Sequence, residues 1–170
     1  HEVIKAIKNT YNENISLVFG CGGERDFKKR SLMAKIAKSF CKRIYVTDDN
    51  PRKEKPRKIR KEIIKYLKGS NYFDIGKRSK AIKEAILNAE PNEIVLVAGK
   101  GHENYQDYGN KVISISDKQI IKKLKINKNA INQKKQNYLF NSKILNKIIQ
   151  KKKLYKFDGL SIDSRDIKNG

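Results

Sequence analysis

The sequence predicts an α/β domain built on a mainly parallel sheet, and three observations point there. Short apolar runs of strand length alternate with segments whose apolar residues recur at helical spacing. The runs Ile15-Ser16-Leu17-Val18-Phe19 and Ile94-Val95-Leu96-Val97 are almost continuously apolar, as strands covered on both faces are. Glycine, or Asp-Asn before proline, then closes each of three runs with a turn signal.

Taken in order, the first strand covers 15–19 and meets Gly20-Cys21-Gly22-Gly23. Leu32, Met33, Ile36, Ala37 and Phe40 mark a helix, and a second strand follows over 43–47. Ile59, Ile63, Ile64 and Leu67 share one face of a helix expected over 56–68, with Gly69 as its stop. Tyr72-Phe73-Asp74-Ile75 is a third short strand. Ala81, Ile82, Ala85, Ile86 and Ala89 mark a helix ended by Pro91. The fourth strand covers 93–98, and residues 111–115 read as a fifth, an antiparallel edge strand. Ser116-Asp117 then caps a closing helix through Leu124. This is a Rossmann-like layered domain over residues 1–126, large enough for its own core.

Residues 127–137 turn to Lys, Asn and Gln with few apolar positions, which is a linker by composition. Leu139, Ile144, Leu145, Ile148 and Ile149 then suggest an amphipathic helix. Residues 138–170 read as the truncated beginning of a second α/β domain.

The 170 residues hold 40 Lys+Arg against 18 Asp+Glu, a formal charge of +22. Two explanations compete: a polyanionic partner, or a lysine, asparagine and isoleucine bias that decorates every solvated face. The basic residues are spread along the whole chain and no zinc-finger, helix-turn-helix or RNP-like signature focuses them, so no nucleic-acid partner is expected. Cys21 and Cys41 make neither a disulfide framework nor a CxxC metal site, which fits a reducing cytoplasm. No run approaches the ~20 apolar residues of a membrane span.

Three loops carry the chemistry. Gly20-Cys21-Gly22-Gly23-Glu24-Arg25-Asp26, with Lys28, Lys29 and Arg30 behind it, is either an anion-holding loop or a tight turn with a solvated basic flank. Asp49-Asn50-Pro51-Arg52 is either a local turn or a binding loop. Gly99-Lys100-Gly101-His102-Glu103 lets backbone approach a ligand and clusters polar groups beside it. In a parallel sheet, loops leaving the strands' carboxyl ends converge on one edge. An arginine there grips a carboxylate bidentately and a glutamate accepts from an ammonium, which describes a site for a zwitterionic amino acid. The phosphate-cradling Gly-x-x-x-x-Gly-Lys-Ser/Thr is absent from the sequence.

Together, in this order, these stretches resemble the C-terminal domain of the Mur ligases, in particular those that take meso-diaminopimelate. The matching segments are Val18-Phe19-Gly20-Cys21-Gly22-Gly23-Glu24-Arg25-Asp26, Val46-Thr47-Asp48-Asp49-Asn50-Pro51-Arg52 and Val97-Ala98-Gly99-Lys100-Gly101-His102-Glu103-Asn104-Tyr105-Gln106. The resemblance implies an ATP- and Mg2+-dependent amide ligase of peptidoglycan biosynthesis, acting on a UDP-N-acetylmuramoyl dipeptide. It implies that Arg25, Asn50 and Arg52 meet carboxylates of meso-diaminopimelate. Gly99 and Glu103 then hold its distal amine, with Asp49 and Pro51 in the same binding loop. Lys29 and Arg30 would lie near the ATP phosphates, although Glu24 and Phe27-Lys28 depart from the usual pattern. No catalytic or metal-ligating residue is expected in this segment; the phosphate loop and magnesium ligands would come from other domains of the same polypeptide.

Leu160-Ser161-Ile162-Asp163-Ser164-Arg165 resembles the opening of another Mur ligase N-terminal domain, with Ser164 and Arg165 at its UDP-sugar site. A sister ligase with a different amino-acid substrate, or a basic nucleic-acid-binding module, are the alternatives.

Overall fold

The structure, a computed structural model, describes residues 1–124. Eleven elements follow one another: α1 (Glu2–Tyr11), β1 (Ile15–Phe19), α2 (Phe27–Phe40), β2 (Arg43–Val46), α3 (Pro56–Ile64), β3 (Tyr72–Asp74), α4 (Arg78–Leu87), β4 (Ile94–Val97), β5 (Tyr105–Asp107), β6 (Val112–Ser114) and α5 (Asp117–Lys123). Four strands form a parallel sheet in the order β3-β2-β1-β4. Val18 on central β1 pairs with Tyr45 on one side and Val97 on the other.

Every residue of β1 and β4 is buried, which explains their unalternating apolar sequence. Successive side chains on β1 enter opposite layers. Ile15, Leu17 and Phe19 pack with Ile4, Ile7, Ala34, Ala37, Ile59 and Ile63 from α1, α2 and α3. Val18 joins Ala81, Ile82, Ala85 and Ile86 of α4 on the other face, where Ile120 and Ile121 of α5 also pack.

Three details differ from the sequence expectation. Helix α1 was not foreseen, although Ile4 and Ile7 form its buried stripe and Asn12 closes it in the left-handed conformation at φ 51°. Helix α3 stops at Ile64, before the expected 68, because tighter bonds from Tyr66 N to Ile63 O and Leu67 N to Ile64 O replace its last turn. Leu67 nonetheless stays fully buried, so the apolar spacing outlasts the helix. Third, the antiparallel strand expected at the sheet edge is present as β6, but it pairs with β5 in a separate hairpin. The chain leaves β4 through Gly99 and Gly101, both at positive φ, and turns away from the parallel sheet.

Among the described residues, no helix is long and apolar enough to cross a membrane. The linker expected over 127–137 and the second unit over 138–170, with Ser164 and Arg165, lie outside the described residues.

Candidate functional site

Strands β1, β2 and β4 are adjacent, so the loops leaving their carboxyl ends meet at one edge of the sheet. They enclose a cleft of about 380 Å³. Arg25, Lys29, Asp49, Asn50, Arg52, Gly99 and Glu103 all line it, from three segments far apart in sequence. Pro51 and Arg30 do not. Cys21 and Asp26 of the first loop line the cleft as well, and so does Met33, which the sequence marked only as a helical apolar position.

The first two loops are packed backbone against backbone. Gly23 N donates to Asn50 O at 2.8 Å, and a Cβ at Gly23 would stand 1.8 Å from Pro51 O. Only glycine fits there. Arg52 occupies the left-handed region at φ 54°, a strained choice for arginine, and its N–H is held by Asp107 O at 2.9 Å. Its Nη1 donates to Gly23 O at 2.8 Å, which aims the guanidinium along the cleft wall. Both Arg52 Nη1 and Arg25 Cγ flank the position where a Gly22 side chain would be, so two cations share this end.

A second group of cleft residues is acidic. Asn50 is buried; its Nδ2 donates to Glu103 Oε2 at 2.8 Å, and its Oδ1 accepts from Lys100 Nζ at 2.6 Å. Lys100 Nζ also meets Glu103 Oε2 at 2.9 Å and lies 3.4 Å from Asp49 Oδ1. That ion pair is the polar contact of the buried Asp49 Oδ1. Burial pushes the Asp49 carboxyl above its ordinary range, with Arg78 and Lys100 opposing the shift. Gly99, at φ 114°, passes beside Asp49: a Cβ there would lie 3.6 Å from Asp49 Oδ2. Burial drives the Cys21 thiol up to about 12, so it is not a nucleophile at neutral pH.

The hairpin braces this loop from behind. Gln106 Nε2 donates to Asp48 O at 2.9 Å and Asp49 O at 2.8 Å, and Asp107 N donates to Asn50 Oδ1 at 3.1 Å. Tyr108 OH reaches Asp48 Oδ2 at 3.2 Å, and Arg60 pairs with the same carboxylate. None of these supports was read from the sequence. Lys100 was seen only as part of a glycine-rich motif, because a buried lysine and a solvated one look alike in a sequence.

Arg30, for which the resemblance implies a place near the ATP phosphates, is a buried strut in this domain. It pairs with Glu54 at 2.8 Å and Glu62 at 2.6 Å, donates to Gly22 O at 3.2 Å, and lies against the Phe27 ring. Lys29 does line the cleft. His102 is exposed. Among the described residues, no group of three or more His, Cys, Asp or Glu side chains is arranged to hold a metal ion.

Residues 1–101 match the family model described as Mur ligase, glutamate ligase domain. The chain is 50% identical over 106 residues to a UDP-N-acetylmuramoyl-L-alanyl-D-glutamate–2,6-diaminopimelate ligase of Rickettsia bellii, covering 62% of this chain and 22% of that protein. It is 41% identical over 120 residues to a ligase of the same name from Clostridium acetobutylicum, covering 71% and 25%. A solved structure of a UDP-N-acetylmuramoyl-L-alanyl-D-glutamate–2,6-diaminopimelate ligase superposes with a TM-score of 0.66 at 35% identity, over 71% of this chain and 25% of that one. The chain thus spans about a quarter or less of the length of these relatives. The matched residues hold all three loops of the cleft up to Gly101, and on that ground the chain belongs to the Mur ligase family, as its glutamate ligase domain.

Proposed function

We propose that this domain is the amino-acid-binding part of an ATP-dependent ligase that joins meso-diaminopimelate to UDP-N-acetylmuramoyl-L-alanyl-D-glutamate. Arg25 and Arg52 flank Gly22, while Asp49 and Glu103 converge on Lys100, and the presence of both groups in one cleft carries the reading. The far end of diaminopimelate bears a carboxylate beside an ammonium. A cationic wall takes the first, and an acidic wall takes the second. Lysine lacks that carboxylate and would leave Arg52 facing a cation.

ATP supplies the activation of the acceptor carboxylate. The residues of this domain bind the incoming amino acid, orient it through its far end, and so deliver its other amine to the activated carbonyl. An N–C bond forms there, phosphate leaves and the amine loses a proton. In this reading the phosphate loop and the magnesium ligands come from other parts of a longer cytoplasmic polypeptide, and the isolated domain is inert. Residues 127–137 are a tether, and 138–170 begin a second Mur ligase fused behind the first, with Ser164 and Arg165 at its UDP-sugar site.

Amino-acid-dependent ATP turnover by the full-length polypeptide tests this directly. Diaminopimelate should support turnover and lysine should do so poorly. Equal use of the two would overturn the reading.

A further inference from the structure

Lys100 lies in the middle of the acidic wall with only 1% of its surface exposed. Its ammonium touches Asn50, Glu103 and Asp49, and sits 5.2 Å from the centre of the Tyr105 ring. A lysine is rarely buried so completely unless its charge is used. Here two carboxylates surround one ammonium, so the cluster carries one surplus negative charge. Arg78 also acts on Asp49, but Asp117 binds Arg78 bidentately at 2.8 and 2.6 Å and cancels its charge. Asp49 and Glu103 both line the cleft, so a ligand held there meets this surplus. One ligand ammonium would complete the cluster. Lys100 also sets the register of the wall, since the Asn50 amide that it holds through Oδ1 turns its Nδ2 onto Glu103.

We propose that Lys100 is a specificity-determining positioning residue that holds Asn50 and Glu103 in register, so that the acidic wall selects a substrate with an ammonium beside its far carboxylate. This rests on the function proposed above. Without Lys100, Asp49 and Glu103 would repel each other with no cation between them. One would take up a proton or swing toward solvent; protonation leaves the same net charge, but on a carboxylate that Lys100 and Asn50 no longer align for an ammonium. The cationic end, built by Arg25 and Arg52, does not contact Lys100 and keeps its carboxylate grip.

The test compares meso-diaminopimelate with L-2-aminopimelate in steady-state kinetics of the full-length ligase. The second compound keeps both carboxylates and the reacting amine but lacks the distal amine. Wild type should prefer diaminopimelate by roughly 10-fold or more in kcat/KM. In Lys100→Met that preference should collapse to within about 3-fold, through a raised KM for diaminopimelate, while 2-aminopimelate changes little. A merely structural lysine would lower both substrates together, and that result overturns the proposal. Lys100→Gln gives a second variant where Met does not fold, and a wild type without the preference overturns the proposal with no variant at all. Wild type that does not use diaminopimelate removes the proposed function itself. Wild type that prefers diaminopimelate, with both substrates falling equally in the variants, removes only the role of Lys100.

Discussion

Asn50 and Glu103, 53 positions apart, share a 2.8 Å hydrogen bond across the floor of the cleft. That single contact joins the loop after β2 to the loop after β4, and Lys100 closes the triangle by bonding both. The walls of the site are therefore one network, and a change in either loop is felt in the other.

Gly23 is the most sensitive backbone position in that network. In Gly23→Ala the new Cβ meets Pro51 O, which is backbone and cannot swing aside. We expect a loss of about 1–3 kcal/mol in unfolding free energy, as for other overpacked sites. Gly69→Ala is the control, because it has positive φ but nothing within 4 Å of the added carbon. Its cost should be strain alone, about 1–2 kcal/mol, and diaminopimelate use should survive in it but not in Gly23→Ala. Urea unfolding of both variants, with kinetics of the full-length polypeptide, checks this. Intact diaminopimelate use in Gly23→Ala would contradict the packing described.

The sequence made the site legible because its loops are marked by residue types with few substitutes. Gly23 must be glycine, Gly99 needs its positive φ, and Asp-Asn before proline announces a turn. The central strands were equally plain, since β1 and β4 are buried on both faces and read as unbroken apolar runs. What stayed hidden is tertiary. Tyr105, Gln106 and Asp107 have no strand-like apolar pattern, and β5 exists because it pairs with β6 and braces the Asp49–Arg52 loop. Likewise Arg30 looks like the basic flank of an anion-binding loop until Glu54 and Glu62, 24 and 32 positions later, are seen around it.

That Arg30 strut should give the domain an acid-sensitive component. The hydrogen bond from Arg30 holds the Glu54 carboxyl below its ordinary value of 4.5, with burial opposing. A carboxylate whose folded value is depressed stabilises the fold fully above the unfolded value and loses that stabilisation as pH falls through the folded one. Glu54→Gln should therefore be less stable than wild type at pH 7, and the gap should narrow below pH 4.5. Burial raises Asp48 and Asp49, which act in the opposite sense and are common to both proteins, so the difference isolates Glu54. Urea midpoints across this range are the measurement, and a gap that stays constant down to pH 3 would contradict the assignment.

The central claim is that the cleft grips the far carboxylate of diaminopimelate through Arg52. Arg52→Ala in the full-length polypeptide removes that grip and leaves the carboxylate to Arg25 alone. Such a loss costs on the order of 2–4 kcal/mol, roughly 30- to 1000-fold in kcat/KM. The decisive measurement is kcat/KM for meso-diaminopimelate in wild type and Arg52→Ala, with the KM values for ATP and the UDP-sugar dipeptide as internal controls. The account predicts a fall in that range for diaminopimelate and little change in the other two; unaltered diaminopimelate turnover would contradict it.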